Sequence, residues 1–330
     1  MTVAIVILNW NGKALLEKFL PTVIKYSNNA DIYVADNAST DESLSFLNKT
    51  YPAIKQIKNK TNGGYAKGYN DALKHINADV FCLLNSDVEV TKDWLTHITS
   101  TFKNEKKTAI IQPKILDYNK KDYFEYAGAA GGFIDKYGYP YCRGRIFNTL
   151  EKDTAQYNDN AEIFWATGAC LFIRKSVFET LNGFDELFFA HMEEIDLCWR
   201  AKKLNYSIKY VSKSVVYHVG GATLQNGNPK KTFLNFRNNL FMLTKNLDNN
   251  LIPILFTRLV LDGVSAIKFL LELKFNHCFA ILKAHFSYYF YLNKILKKRN
   301  KNNVNKIKHY QIKSVVFEYF VNKNKKFTSL

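Results

Sequence analysis

The feature that most constrains the fold of this 330-residue chain is an alternation of strand-length apolar runs with amphipathic helical patterns through its first 112 residues. Strands that are apolar throughout are buried on both faces, and the helices between them supply the crossovers of a parallel sheet. The predicted strands are 3–8, 31–36, 53–57, 79–85 and 109–113, and the predicted helices lie near 13–26, 41–49, 65–76 and 92–103. We therefore predict an α/β fold with a mostly parallel central sheet and flanking helices.

Polar side chains follow three of these strands, in the sequences "NWNG", "DNAST" and "NSD". They include Asn9, Asn11, Asp36, Asn37, Asn85, Ser86 and Asp87. Such residues also favour ordinary turns and helix caps. Three such loops at one edge of an open sheet favour a ligand-binding crevice instead. Asp87 is the candidate ligand for Mg²⁺ or Mn²⁺, which take carboxylates together with substrate phosphates.

A glycine-rich turn, "TNGGYAKGYNDAL", precedes the third predicted helix and contains Gly64 and Asn70. Free amides at a helix start suit a phosphate or nucleotide. The sequence matches neither a GxGxxG fingerprint nor a Walker A loop, and a plain turn with a helix cap is the alternative.

Three carboxylates, Glu193, Glu194 and Asp196, stand at the start of a predicted helix over about 193–204. A helix N-terminus favours anionic carboxylates, whereas desolvation and a neighbouring acid raise their pKa values. The cluster is therefore a candidate for a general base. The alternative is a set of solvated first-turn acids.

The rest of the chain divides into two parts. Residues 113–165 are irregular and rich in Gly and Tyr, which predicts short strands and loops. From 229 onward the pattern is helical, with long helices near 251–273 and 277–298, a basic linker at 297–308 and an amphipathic stretch near 311–321. We predict a catalytic domain over 1–228, with halves of about 1–112 and 113–228, and a basic amphipathic helical region over 229–330.

Charge is concentrated in that last region, which holds 19 Lys/Arg against four Asp/Glu and so accounts for +15 of the net +17. Polybasic amphipathic helices bind anionic membrane surfaces. No helix-turn-helix, RRM or zinc pattern supports nucleic acid as the partner. We predict no transmembrane helix, because Arg258, Asp262 and Lys268 interrupt the most apolar segment. Five scattered cysteines are typical of a cytosolic protein.

Taken in order, the motifs resemble glycosyltransferase family 2, the inverting enzymes of GT-A fold, and most closely its bacterial rhamnosyltransferase-like and galactofuranosyltransferase-like members. The segments that carry the resemblance are "VAIVILNWNG", "YVADNASTD", "NGGYAKGYN", "LLNSDVEV", "GACLFIRKSVFETLNGFDELFF", "EEIDLCWR", "VVYHVGG" and "FRNNLFMLTKN". The resemblance covers most of the chain.

It implies transfer of a sugar, such as rhamnose or another hexose, from a UDP- or dTDP-sugar to a glycan or lipid-linked acceptor in cell-surface polysaccharide synthesis. Glu194 would be the base, with Glu193 or Asp196 orienting the acceptor or the loop. Asp87 and His218 would hold Mg²⁺ or Mn²⁺. The planar fork of Arg237 suits a diphosphate or a lipid phosphate, and a surface residue of an amphipathic helix is the alternative. Lipid-linked acceptors imply a cytoplasmic protein at the inner face of the cell membrane.

Two positions depart from the family pattern. The metal motif has one acid, Asp87, where two are common, and the catalytic pair reads Glu193-Glu194 where Glu-Asp is common. Two other functions stay open at this point. A sugar-nucleotide nucleotidyltransferase would share the sheet but would want a basic first loop, and a non-catalytic binding protein could retain the fold.

Overall fold

The structure is a computed structural model that describes residues 1–220, 227–299 and 305–330. Its strands are β1 (Val3–Asn9), β2 (Asp31–Asp36), β3 (Lys55–Lys58), β4 (Val80–Asn85), β5 (Val88–Val90), β6 (Thr108–Asp117), β7 (Gly132–Ile134), β8 (Pro140–Cys142), β9 (Arg145–Ile146), β10 (Thr149–Leu150), β11 (Ala161–Glu162), β12 (Cys170–Arg174) and β13 (Ser207–His218). Its α-helices are α1 (Lys13–Tyr26), α2 (Ser43–Thr50), α3 (Gly64–Leu73), α4 (Trp94–Asn104), α5 (Lys175–Thr180), α6 (Glu193–Lys203), α7 (Pro229–Asn246), α8 (Leu251–Leu271), α9 (Phe275–Lys298) and α10 (Val315–Phe320). Short 3-10 helices cover Glu186–Phe188 and Phe327–Ser329.

Nine of the described strands form a large mixed sheet in the order β11-β13-β6-β12-β4-β1-β2-β3, with β5 paired to the end of β13. The block β4-β1-β2-β3 is parallel, as the alternating pattern predicted, and β6 is parallel to β13. Strand β12 runs antiparallel between β4 and β6. The parallel block therefore directs the carboxyl ends of β1, β2 and β4 to one edge.

Both faces of this sheet are buried, which explains why its strands are apolar throughout. Ile5 and Ile7 of β1 pack in one cluster with Leu16 of α1 and Trp94 of α4. Their neighbours Ala4 and Val6 point to the opposite face and join a second cluster, which includes Tyr69 of α3 and Trp199 of α6.

The irregular stretch 113–165 contains a second, four-stranded sheet in the order β10-β9-β8-β7. The end of the chain packs on this small sheet. The Val315 amide donates to the Asp135 carboxylate at 3.0 Å, the Tyr319 and Thr149 hydroxyls are 2.9 Å apart, and the Phe327 ring lies 5.3 Å from that of Phe133. Residues 305–330 are thus integral to the fold rather than a free basic tail.

Helices α7, α8 and α9 follow the sheet and agree with the predicted helical pattern to within a few residues. Helix α9 packs against α7 and α8. Part of the predicted basic linker, 300–304, lies outside the described residues. The proposed domain limit at 228 stays a prediction.

Candidate active site

A cavity of about 1200 Å³ opens where β1, β2 and β4 end. Most of the polar residues that the sequence placed at this edge line it, together with the acids of α6 and the end of β13. From the predicted set the lining residues are Asn11, Asn37, Gly64, Asn85, Ser86, Asp87, Glu193, Glu194 and His218. Asp87 and Glu194, which come from opposite halves of the predicted catalytic domain, therefore face the same space.

Asp87 and His218 meet because β5 pairs antiparallel with β13 and sets His218 opposite Val88. Nε2 of His218 is 3.1 Å from Oδ1 of Asp87, and its Nδ1 is 3.2 Å from Oε1 of Glu125. All three side chains are buried. Burial alone would lower the pKa of His218, but the charges of Glu125 and Asp87 raise it to about 10.

The pair Asp87 and His218 fits a divalent cation. Within the described chain, Nε2 of His218 is buried, faces a carboxylate and lacks a hydrogen bond of good geometry. Asp87 would leave positions for diphosphate oxygens and water, as Mg²⁺ commonly has them, and His218 would add an imidazole, a ligand more typical of transition metals. The ring would release its proton on binding an ion. Glu125 would then orient the imidazole from its other nitrogen, as carboxylates beside metal-bound histidines do. The described residues hold no group of three or more His, Cys, Asp or Glu arranged around a metal.

Glu193 and Glu194 occupy the first turn of α6, as predicted. Burial raises the pKa of Glu194 to about 7. Burial, followed by the charge of Glu194, raises the pKa of Glu193 well above its usual range. Oε2 of each finds no hydrogen-bond partner among the residues that the structure describes. Glu194 is the less buried of the two, so its carboxylate is the better placed to take a proton from a ligand in the cavity.

The loop before α6 has an unusual backbone. Phe189, His191 and Met192 have φ values of 63°, 69° and 71°, in the left-handed region that non-glycine residues rarely adopt. Asn238 of α7 holds this loop, because its Nδ2 lies 2.8 Å from the carbonyl oxygens of Phe188, Ala190 and His191.

We expect Asn238→Ala to release this loop and to displace Glu194 with it. Buried carbonyls left without a donor cost about 1–3 kcal/mol, so the free energy of unfolding should fall by about that amount, measured by urea denaturation. The kcat should fall as well, with the donor KM unchanged. Asn104→Ala, on the exposed end of α4, is the matched control. An unchanged kcat in Asn238→Ala would show that Asn238 does not position Glu194.

Gly64, on the side of the cavity predicted to bind the sugar donor, contacts the loop that precedes α6. The amides of Tyr65 and Ala66 donate to the carbonyl of Phe189 at 2.7 and 3.3 Å, so a protein group engages these two amides at the start of α3. The φ of Gly64 is +75°, and a Cβ there would collide with the Phe189 carbonyl and ring. The glycine therefore permits a close approach of two backbones, and the expectation of free amides for phosphate does not hold at Tyr65 and Ala66.

Other residues that the sequence predicted to contact the nucleotide sugar form a hydrogen-bonded network beside the cavity. Asn9 is buried and donates to Asp36 and Ser39, both at 3.2 Å. Asn11 accepts from the Thr40 amide at 2.7 Å. Asn37 donates to the Gly64 carbonyl at 3.0 Å. Asn9 and Asp36 do not line the cavity, so they shape the predicted nucleotide loop from beneath.

Three further predicted site residues lie away from the cavity. Asp196 is fully buried, 2.8 Å from both Lys245 and Arg200; burial opposes ionisation, but these cations lower its pKa to about 2. Asn70 bonds to both the amide and the carbonyl of Phe184 at 2.9 Å. Arg237 donates to the carbonyls of Leu187 and Phe188. All three support the loop and helix that carry Glu194.

Glu125 and His191 are among the polar residues that line the cavity and that the sequence did not predict. Glu125 lies in the irregular Tyr-rich stretch, where no periodic pattern marks it. His191 precedes the acid cluster; burial, and then the charge of Lys231, lowers its pKa to about 4, so the ring is neutral at pH 7. The neighbouring acids were the only local signal for His191.

The family description "Glycosyl transferase family 2" matches residues 4–181, more than half of the chain. The chain belongs to glycosyl transferase family 2. That match covers the parallel block and Asp87, and the resemblance seen in the motifs is confirmed.

The curated relatives of this chain include a hexosyltransferase and rhamnosyltransferases. A low-salt glycan biosynthesis hexosyltransferase of Haloferax volcanii is 26% identical over 210 residues, which cover 62% of this chain and 63% of the relative. An N-acetylglucosaminyl-diphospho-decaprenol L-rhamnosyltransferase of Mycobacterium tuberculosis is 24% identical over 222 residues, covering 62% and 71%. The chain thus spans just under two thirds of the first of these proteins.

Solved structures support the predicted GT-A-like fold. GalNAc-T7, crystallised with UDP, GalNAc and Mn²⁺, superposes with a TM-score of 0.58 at 16% identity, over 76% of this chain and 48% of that one. A mannosyltransferase of Pyrobaculum calidifontis in complex with GDP-Man and Mn²⁺ superposes with a TM-score of 0.54 at 12% identity, over 87% of each chain. At these identities the likeness concerns the fold alone.

Proposed function

We propose that this chain is an inverting glycosyltransferase that moves a hexose, with rhamnose as one candidate, from a nucleoside-diphosphate sugar to a hydroxyl group. The acceptor is a glycan or a lipid-linked sugar of a cell-surface polysaccharide. The observation that carries the proposal is the shared cavity, with Asp87 on one wall and Glu194 on another, the Oε2 atom of Glu194 having no hydrogen-bond partner among the described residues. UDP and dTDP are the candidate carriers.

On the acceptor side, Glu194 takes the proton of the attacking hydroxyl as its oxygen forms a bond to C1 of the donor sugar. The bond between C1 and the diphosphate oxygen breaks, and the diphosphate leaves with the electron pair on the opposite face. A pKa near 7 suits a general base at neutral pH. His191, neutral and adjacent, adds no positive charge that would lower that pKa.

On the leaving-group side, Asp87 and His218 would hold Mg²⁺ or Mn²⁺, with Glu125 behind the imidazole. A bound cation there offsets the negative charge that grows on the diphosphate. Asn37, Gly64, Asn85 and Ser86 line the same part of the cavity and are the candidate contacts for the nucleotide and sugar.

The rate should depend on pH through Glu194. A base works only in its ionised form, and burial raises the pKa of this carboxyl to about 7. We therefore expect kcat/KM to increase about tenfold per pH unit below that value and to level off above it, because kcat/KM reports the free enzyme. A flat profile between pH 5 and 8 would contradict the assignment.

We also propose where in the cell this protein acts. A protein with a basic C-terminal region that uses lipid-linked acceptors would work at the cytoplasmic face of the cell membrane, in contact with anionic lipid and without a nucleic-acid partner. Among the described residues, no helix is long and apolar enough to cross a bilayer.

The function can be tested with a panel of nucleotide sugars, each incubated with the protein and Mn²⁺, scoring release of nucleoside diphosphate. Release from one or two donors, lost on chelation of the metal, is the expected result. Release of pyrophosphate from a nucleoside triphosphate would instead support a nucleotidyltransferase, and no release from any donor would contradict transfer.

A further inference from the structure

The hairpin formed by α8 and α9 turns large apolar side chains away from the body of the protein. On α8 the side chains of Ile252, Phe256 and Val260 recur every four residues and are 81%, 68% and 51% exposed. On α9 Phe286 and Phe290 are 75% and 81% exposed. Single exposed apolar residues are ordinary, but an extended set on adjacent helices marks a surface that something covers.

The face of α8 that meets the protein combines apolar side chains, such as Ile254, with a buried ion pair. Arg258 and Asp262 are almost completely buried and form an ion pair of 2.7 Å between Nε and Oδ1. Arg258 also donates to Asn239 at 2.7 Å. A helix on a water-exposed surface normally turns polar side chains outward, whereas the outward side chains of α8 are large and apolar. The outward face of α8 therefore suits an apolar environment.

The charges of the hairpin indicate what that environment is. Residues 251–299 contain eight Lys/Arg against two Asp/Glu. Lys283 and Lys294 follow Phe279 and Phe290 by four positions, which places cations on the same side of α9 as the exposed rings. A second copy of the chain would bring the same positive charge. Anionic lipid headgroups above an acyl layer complement both the lysines and the rings.

The apolar face continues into the cavity of the candidate active site. Val264 and Lys268 of α8 and Phe320 of α10 line the cavity, and Val264 and Phe320 are also about half exposed. One rim of the cavity is therefore made by the same helix that carries the exposed apolar side chains.

We propose that the α8–α9 hairpin lies in the interface of an anionic membrane, with its apolar face at the acyl boundary and its lysines at the headgroups. This docking sets the rim of the cavity against the lipid. The acceptor is then a sugar carried on a membrane lipid, a conclusion that rests on the proposed transferase function. The attachment surface is the hairpin rather than the C-terminal segment 305–330, which packs on the small sheet.

The test uses the full chain and sedimentation with vesicles of phosphatidylcholine and phosphatidylglycerol, compared with phosphatidylcholine alone. Wild type should bind the anionic vesicles, and the triple variant Phe279→Ser, Phe286→Ser, Phe290→Ser should bind at least tenfold more weakly. These side chains are exposed and do not line the cavity, so Tm should hold. Leu204→Ser, at an exposed leucine after α6, is the control and should bind like wild type.

A second set of variants tests the electrostatic attraction between the lysines of the hairpin and anionic lipid. Lys294→Gln with Lys297→Gln should weaken binding to the anionic vesicles and reduce its dependence on salt. Lys103→Gln with Lys106→Gln, exposed near the end of α4, should leave both unchanged. Equal loss in the two pairs would indicate attraction to net charge alone and would overturn the assignment to the hairpin.

Two further results would overturn the docking. One is wild-type protein that stays in the supernatant, or a triple-serine variant that sediments like wild type. The other is a dimer in sedimentation velocity that the triple-serine substitution dissociates, since a second copy would then cover the face. Donor hydrolysis measured without vesicles separates this proposal from the proposed function: hydrolysis can fail while vesicle binding holds, and the reverse.

Discussion

Replacing Glu194 by glutamine is expected to lower kcat by about 10²–10⁴-fold, the usual contribution of a general base. Glutamine keeps the size of the side chain but cannot accept the proton of the acceptor hydroxyl. Oε2 of Glu194 has no hydrogen-bond partner within the described residues, so the substitution breaks no contact there and the fold should survive. The donor KM should stay near its wild-type value, because the base faces the acceptor. Release of nucleoside diphosphate, with the donor and acceptor found by screening, measures both quantities.

Glu179→Gln is the matched control for that variant. Its side chain is 63% exposed on α5, and the same chemical change there should leave the rate unaltered. A Glu194→Gln protein with wild-type turnover would show that Glu194 is not the base. If Glu193→Gln then lost activity, the base would be its neighbour in the first turn of α6.

Replacing Asp87 by asparagine should act on the donor. The change removes the one negative charge of the "NSD" loop and one of the two carboxylates beside His218. We expect kcat/KM to fall by about 10²–10³-fold, the scale seen when one preorganised electrostatic contact to a transition state is removed. Binding of nucleoside diphosphate in the presence of Mn²⁺, measured by calorimetry, should weaken as well, which distinguishes this variant from Glu194→Gln.

Asp93→Asn controls for the loss of a carboxylate. Asp93 is exposed before α4 with a φ of 60°, a conformation that asparagine accepts without strain. Its Mn²⁺-dependent binding should equal that of wild type. Asp87→Asn protein that binds nucleoside diphosphate and Mn²⁺ normally would show that the cation is held elsewhere.

The sequence predicted the parts of this molecule in which local pattern and tertiary position agree. Apolar strands such as 3–8 are buried on both faces wherever they occur, so their burial and parallel pairing could be inferred. The glutamates at 193 and 194 could be placed at a helix start, and Asp87 at a strand end, because both positions follow from residues nearby in the chain.

The contacts that the sequence did not predict are long-range. Asp196 shares the first turn of α6 with Glu194 but points to another side of the helix, where Lys245, 49 positions later, pairs with it. Glu125 reaches His218 from a stretch without periodicity, 93 positions earlier. The three carbonyls bound by Asn238 belong to a loop that no helical or strand pattern describes.

The close contact between the backbones of Gly64 and Phe189 should couple the two sides of the cleft energetically. Two amides of α3 donate to the carbonyl of Phe189, in the loop that precedes Glu194. Neither wall of the cleft can therefore shift there without moving the other. Energetic effects of substitutions on the two sides of this contact should therefore not add, because residues in one network are coupled. A nucleotide that orders the glycine-rich turn would therefore also make the carboxylate of Glu194 less mobile. Binding at the donor site would in this way be coupled to the position of the base at the acceptor site.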